Sequence, residues 1–198
     1  MKKLKLTLIE AQKIMEENDG DLDLHYSSIT ELPDGLLVDG NLNLSYTPIT
    51  KLPNDIAVCG WIDLSSSSIT KLPDNLTVDY WLDLSDTPII ELPKGLTVGD
   101  SIYLREAKIA ELPNELVVSG DLDLVGTNIT ELPKNLTVGG DLYLNNNIKK
   151  LNNTLKVGGN IYPPSLKPTQ NNKLSEGNYK DNKYIYADGH ITFITRKK

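Results

Sequence analysis

Apolar residues return along this chain in columns twenty residues apart. The pair Leu22/Leu24 recurs as Leu42/Leu44, Ile62/Leu64, Leu82/Leu84, Ile102/Leu104, Leu122/Leu124 and Leu142/Leu144. An L-x-L pair spells a short strand with two side chains inward and one outward. Five residues later comes Ile29, then Ile49, Ile69, Ile89, Ile109 and Ile129, with Ile148 in a seventh copy that is one residue short. Leu-Pro follows three further on, from Leu32-Pro33 to Leu132-Pro133. Proline has no N–H for a ladder, so it ends extended pairing and begins a turn. A return arm carries Leu36, Ile56, Leu76, Leu96, Leu116 and Leu136, each followed two residues on by Val. A fixed period of this length predicts a solenoid, in which stacked coils bury columns that no single coil can bury. Ser27, Thr47, Ser67, Thr87, Ala107, Thr127 and Asn147 form one further column. It reads as an internal hydroxyl ladder that satisfies buried backbone groups, with its gap at Ala107.

Flanking segments break the period. Residues 7–18 predict a helix: Thr7 and Glu10 make a capping box, and Leu8, Ala11, Ile14 and Met15 form an apolar stripe. A solenoid end needs a polar-faced cover, so residues 1–20 are expected to cap the first coil. Coils fill residues 21–159. An eighth strand starts at Asn160-Ile161-Tyr162 and meets Pro163-Pro164. Residues 160–182 read as an irregular segment and 183–198 as a hairpin turning at Asp188-Gly189, followed by a basic tail. The hairpin is expected to close the other end of a single domain.

The pattern L-x-L-x-x-(T/N)-x-I-x-x-L-P-x-x-L-x-V resembles the leucine-rich repeat. Its length and Leu-Pro are similar to the short bacterial class, found in secreted effectors and in repeat proteins of bacteriophages and prophages. The L-T-V-G-G ending, as at Leu136–Gly140, looks most like the phage type. The resemblance covers about residues 21–159 and implies a leucine-rich-repeat fold and a binding role. Thr or Ser stands for the usual Asn in most copies, and no ubiquitin-ligase domain follows the repeats, so that activity does not carry over.

Charge narrows the partners. The net charge of −7 over 198 residues argues against general binding to nucleic acid or an anionic membrane. Met1–Glu10 has a basic start but no long apolar run, so it does not read as a signal peptide. Cys59 stands alone, and no motif asks for a metal or cofactor. The expected compartment is the cytoplasm. Asn75, Asn128, Asn135 and Asn152 fall in sequons produced by the repeat's own Asn and Thr usage.

The candidate function lies on the outward strand face. Its central column is Asp23, Asn43, Asp63, Asp83, Tyr103, Asp123 and Tyr143; its leading column contains Trp61 and Trp81, and its trailing column His25 and Arg105. At about 4.8 Å per strand, seven strands make a surface roughly 29 Å long. Acidic ground bearing Trp and Tyr has the composition of an interface hot spot, while the Asp column is also what a solvated strand needs to stay soluble. The expectation is a non-catalytic module binding a basic protein surface through Asp23, Trp61, Asp63, Trp81, Asp83, Tyr103, Arg105, Asp123 and Tyr143. One form is an inhibitor occupying the nucleic-acid groove of a host protein. The rivals are a small-ligand or glycan binder stacking on the aromatics, and a structural module of a larger assembly. Asp63 and Asp83 come within about 5 Å, a glycosidase-like separation, but a flat face neither shapes a pocket nor excludes water. The same flatness argues against a calcium site. His25 and His190 have no triad or metal constellation beside them.

Overall fold

The computed structural model describes residues 4–162, and the backbone of 182–187 and 190–195. It is a parallel β-solenoid of about seven turns with twenty-residue spacing and one helix among the described residues. Eight two-residue strands, from Leu22–Asp23 to Ile161–Tyr162, form one parallel sheet in chain order. Its register repeats the sequence period, with Leu22 opposite Leu42 and Asp63 opposite Asp83. The N–H of each inward Leu donates to the next coil, as Leu24 does to the Asn43 carbonyl at 2.8 Å. The L-x-L, Ile, Leu-Pro and L-x-V columns form one continuous core.

The return arm makes strands of its own. Leu37–Val38, Ala57–Val58, Thr77–Val78 and Thr97–Val98 form a four-stranded parallel sheet. Val117–Val118, Thr137–Val138 and Lys156–Val157 form a separate one of three strands. No return-face pairing joins the fourth coil to the fifth. A groove of about 370 Å³ opens there, lined by Pro93, Leu96, Val98, Pro113, Leu116 and Val117 among others.

The hydroxyl column satisfies backbone groups of the turn, as expected, mostly within its own coil and across coils at Asn147, whose Nδ2 donates to the Thr127 carbonyl. Thr47, Thr87 and Thr127 donate to the carbonyl three residues back, at 2.6, 2.6 and 2.8 Å. Fully buried Ala107 keeps only the backbone bond of that turn, from its N–H to Leu104. The short seventh coil repairs its missing residue with buried Asn145. The Nδ2 of Asn145 donates to the Thr127 hydroxyl and the Ile129 carbonyl, and its Oδ1 accepts from the N–H groups of Asn147 and Ile148.

The helix spans Leu8–Glu17, with Thr7 as N-cap and both bonds of the capping box formed. Ala11 is buried, and Ile14 and Met15 lean on the core. Leu8, expected in the same stripe, is half exposed at the first position of the helix. Leu4–Lys5 adds a parallel strand against Ile29–Glu31, which the sequence reading did not foresee. Towards the C-terminus of the sequence, Asn182–Ala187 and His190–Thr195 pair antiparallel. The expected turn Asp188-Gly189, the segment 163–181, and Arg196–Lys198 lie outside the described residues.

Candidate binding interface

Every residue expected on the strand face lies on it, but several have structural duties that a sequence of exposed acids does not suggest. The central acids form the turn after each strand. Oδ1 of Asp23, Asn43, Asp63, Asp83 and Asp123 accepts from the backbone N–H two residues on, at 3.2, 3.1, 2.8, 2.8 and 2.9 Å. Asx turns of this kind place a carboxylate or amide where the backbone must reverse. The residue after each bonded N–H is left-handed: Tyr26, Tyr46, Ser66, Asp86 and Gly126 all have φ between 54° and 74°. The recurrence of Asp in this column therefore has a local cause, beyond the need of a solvated strand for charge.

Asp123 is withdrawn further. The sequence reading placed it on open acidic ground, yet it is 7% exposed. Arg105 covers it, with Nε and Nη2 donating to Oδ2 at 3.1 and 2.8 Å. This intramolecular pair removes one anion and occupies Arg105. Asp83 remains half-buried between its cross-strand neighbours Asp63 and Tyr103. Burial pushes its carboxyl above the ordinary range, hydrogen bonds from Ser85 act in the opposite sense, and Asp63 adds repulsion. The Tyr143 phenol is also pushed up, first by desolvation and then by the carboxylates of Asp141 and Asp121.

The leading column carries a second device. Its side chain accepts from the N–H of the same position in the next coil. Asp21 takes Asn41 N–H at 2.8 Å, and Asn41 takes Trp61 N–H at 3.1 Å. Ser101 takes Asp121, Asp121 takes Asp141, and Asp141 takes Asn160, at 2.9, 2.7 and 2.6 Å. Each acceptor lies beneath the last residue of its own coil. There a side chain on Gly40, Gly60, Gly120, Gly140 or Gly159 would overlap Asp21, Asn41, Ser101, Asp121 or Asp141 respectively. The ladder stops at two coils. An indole donates and does not accept, so Trp61 and Trp81 offer the next coil nothing. There the glycine is also gone, replaced by Tyr80 and Asp100.

What replaces the ladder is an aromatic cluster. The rings of Trp61 and Trp81 stack with centroids 4.5 Å apart and 7° between planes. Tyr103 meets Trp81 edge-on at 6.4 Å. All three are half-buried, and exposed Tyr80 stands beside them in sequence. Two further stacked pairs lie along the solenoid, one on this face and one in the turn after the strands of the first two coils. Tyr143 and Tyr162 stack at 4.6 Å, and Tyr26 and Tyr46 at 4.5 Å. The Tyr26–Tyr46 pair was missed in the sequence, although two tyrosines twenty residues apart in a twenty-residue repeat are neighbours by construction.

Among the described residues, no group of His, Cys, Asp and Glu is arranged to hold a metal, and no helix is long and apolar enough to cross a membrane. Comparison with known proteins finds no matching family model and no matching curated protein.

Proposed function

We propose that this is a non-catalytic, protein-binding solenoid of the leucine-rich-repeat type, of bacterial or phage origin and acting in the cytoplasm. Its binding face is the eight-stranded sheet, centred on Trp61, Trp81 and Tyr103 with Asp63 and Asp83. The partner is a protein with a basic surface. A host protein whose nucleic-acid groove would be blocked is one such partner. The observation that carries the reading is the substitution of two tryptophans for ladder acceptors. The repeat supplies Asp, Asn or Ser there in the other coils, and each of these holds the next coil by a hydrogen bond. Giving up that bond twice in succession for half-exposed indoles is understandable if the indoles meet something outside the fold.

Charge favours a protein over a sugar. Trp61 and Trp81 cover one face of each other, and Asp63 and Asp83 follow them two residues on in the same strands. The ring faces left outside the stack, beside those carboxylates, suit apolar and cationic side chains. The two tryptophans are the only ones in the chain, so their emission reports on this site alone. Arginine-containing peptides should change it at low salt and much less at high salt. Acidic peptides should leave it unaltered. A response to a cello-oligosaccharide with none to arginine peptides would replace this reading with the glycan one.

The helix Leu8–Glu17 is proposed as the cap of the first coil, through Ala11, Ile14 and Met15. Deleting residues 1–20 should expose Leu22, Leu24 and Ile29 and produce aggregates in size-exclusion chromatography. A monomeric truncation with an unaltered melting curve would refute the cap.

A further inference from the structure

We infer that the binding face has a second anchor, the Tyr26–Tyr46 pair, and that it takes an extended, arginine-bearing segment of the partner lying obliquely between that pair and Trp61–Trp81. The inference rests on the reading above for its tryptophan end. The tyrosine end stands on separate observations.

Tyr26 and Tyr46 are 68% and 52% exposed, yet their rings are ordered against each other at 4.5 Å and 15°. Both have left-handed backbone, with φ of 55° and 57°. That region favours Gly, Asn and Asp, and the sixth coil does place Gly126 at this position. The first two coils instead carry large aromatic side chains where the backbone least favours them. No described segment covers the pair. Aromatic rings held in an unfavourable conformation and left open to solvent mark a contact surface.

Between the two pairs lies a floor of short polar side chains: Asn43, Ser45, Asp63 and Ser65, none exposed beyond an intermediate degree. No bulky residue interrupts it. The pairs are two coils apart along the solenoid and five positions apart across the coil, a separation of roughly 19 Å at ordinary strand spacings. An extended chain covers that in about six residues, the step between two arginines with a five-residue spacer. Charge specifies what it carries. Asp23 is exposed at the tyrosine end, where its Oδ1 already meets the backbone N–H and Nδ1 of His25 and the His25 ring stands edge-on to Tyr26, and Asp63 and Asp83 follow the indoles in their strands. A planar guanidinium both stacks on aromatic rings and pairs with carboxylates, so arginine fits each end better than lysine.

The test uses the full chain and peptides with two arginines separated by two, five, eight or eleven Ser/Thr residues. A single-arginine peptide of matched length is the reference. Tryptophan emission is the readout, at low ionic strength. Binding should peak near the five-residue spacer, at least tenfold tighter than the single-arginine peptide. The double variant Tyr26→Gly/Tyr46→Gly, which suits the backbone and should not lower the melting temperature, should bring every spacer down to the single-arginine affinity. It should leave the tryptophan response to the single-arginine peptide intact. Equal affinity for all spacers, or an optimum unaffected by the double variant, overturns the second anchor while the tryptophan site stands. An optimum near eleven residues overturns the extended conformation in favour of a helix. No emission change with any peptide overturns the tryptophan site and the anchor together.

Discussion

Restoring the interrupted ladder separates what Trp61 does for the fold from what it does for a partner. The perturbation is Trp61→Asn with Tyr80→Gly, which makes the third coil a copy of the second, where Asn41 accepts from Trp61 N–H and Gly60 leaves the room. The control is Trp61→Leu with Tyr80→Gly. Leu has nearly the shape of Asn but no acceptor. Both variants lose the indole stack and both gain the glycine, so those costs cancel in the comparison. The Asn version should hold the Trp81 N–H at close to the 3.1 Å seen one coil earlier. A net hydrogen bond of this kind contributes about 1 kcal/mol. In a chain of this size that is a rise in melting temperature of about 2–4 °C over the Leu version. Hydrogen exchange at the Trp81 amide should slow by about fivefold, since 1.4 kcal/mol is tenfold. Both variants should lose arginine-peptide binding alike, by about 30-fold if Trp61 is worth the 2 kcal/mol of a typical hot spot. Equal melting and equal exchange in the two would refute the ladder gap. Peptide binding within threefold of the parent would refute the functional role of Trp61.

Three further outcomes follow from the same geometry. Asp83→Asn should raise the melting temperature at pH 7: the folded carboxyl lies above its ordinary range, so the parent loses stability as pH rises through that folded value. Below the ordinary aspartate value both forms are neutral, so melting curves at pH 3 and pH 7 should show the gain disappear in acid, and a gain that persists at pH 3 would contradict it. Ala107→Thr should add the hydroxyl-to-carbonyl bond made by Thr47, Thr87 and Thr127, worth about 1 kcal/mol; an unaltered or lower melting temperature in calorimetry would show that the column has no room for it. Asn145→Ala should cost about 2–4 kcal/mol in denaturant unfolding, because it leaves the buried Thr127 hydroxyl, the Ile129 carbonyl and two N–H groups short of partners; a loss below about 0.5 kcal/mol would mean that water or backbone shift replaces it.

The coil geometry was legible because a twenty-residue period fixes the register of everything that repeats. Leu22 opposite Leu42, and the stacking of Trp61 on Trp81, follow from counting alone. The capping box at Thr7 and Glu10 and the pairing of Ile161–Tyr162 were equally local signals. The return-arm strands were hidden because they are two residues long, too short for any alternation to stand out. The Leu4–Lys5 strand pairs with a segment beyond the helix, and no periodicity links them. The left-handed column left no trace, since only one of its six coils uses glycine. At the site, position was readable and employment was not. Asp23, Asp63 and Asp83 were placed correctly on the face, but the N–H each accepts is its own, two residues on. The covariation of ladder acceptor with glycine was present in the text of the repeats. It becomes meaningful only once the two are known to overlap in space.

The break in the return-face pairing has a mechanical consequence. Coils one to four and coils five to seven are each clamped on two sides, whereas the junction between them is clamped on one. Such a junction behaves like the spine of a book, stiff against sliding and soft against opening. A load that bends the solenoid toward its eight-stranded face, opening the return side, will concentrate there, between Val98 and Val117. Under pulling force, the chain should part into two blocks at this line before either block unravels.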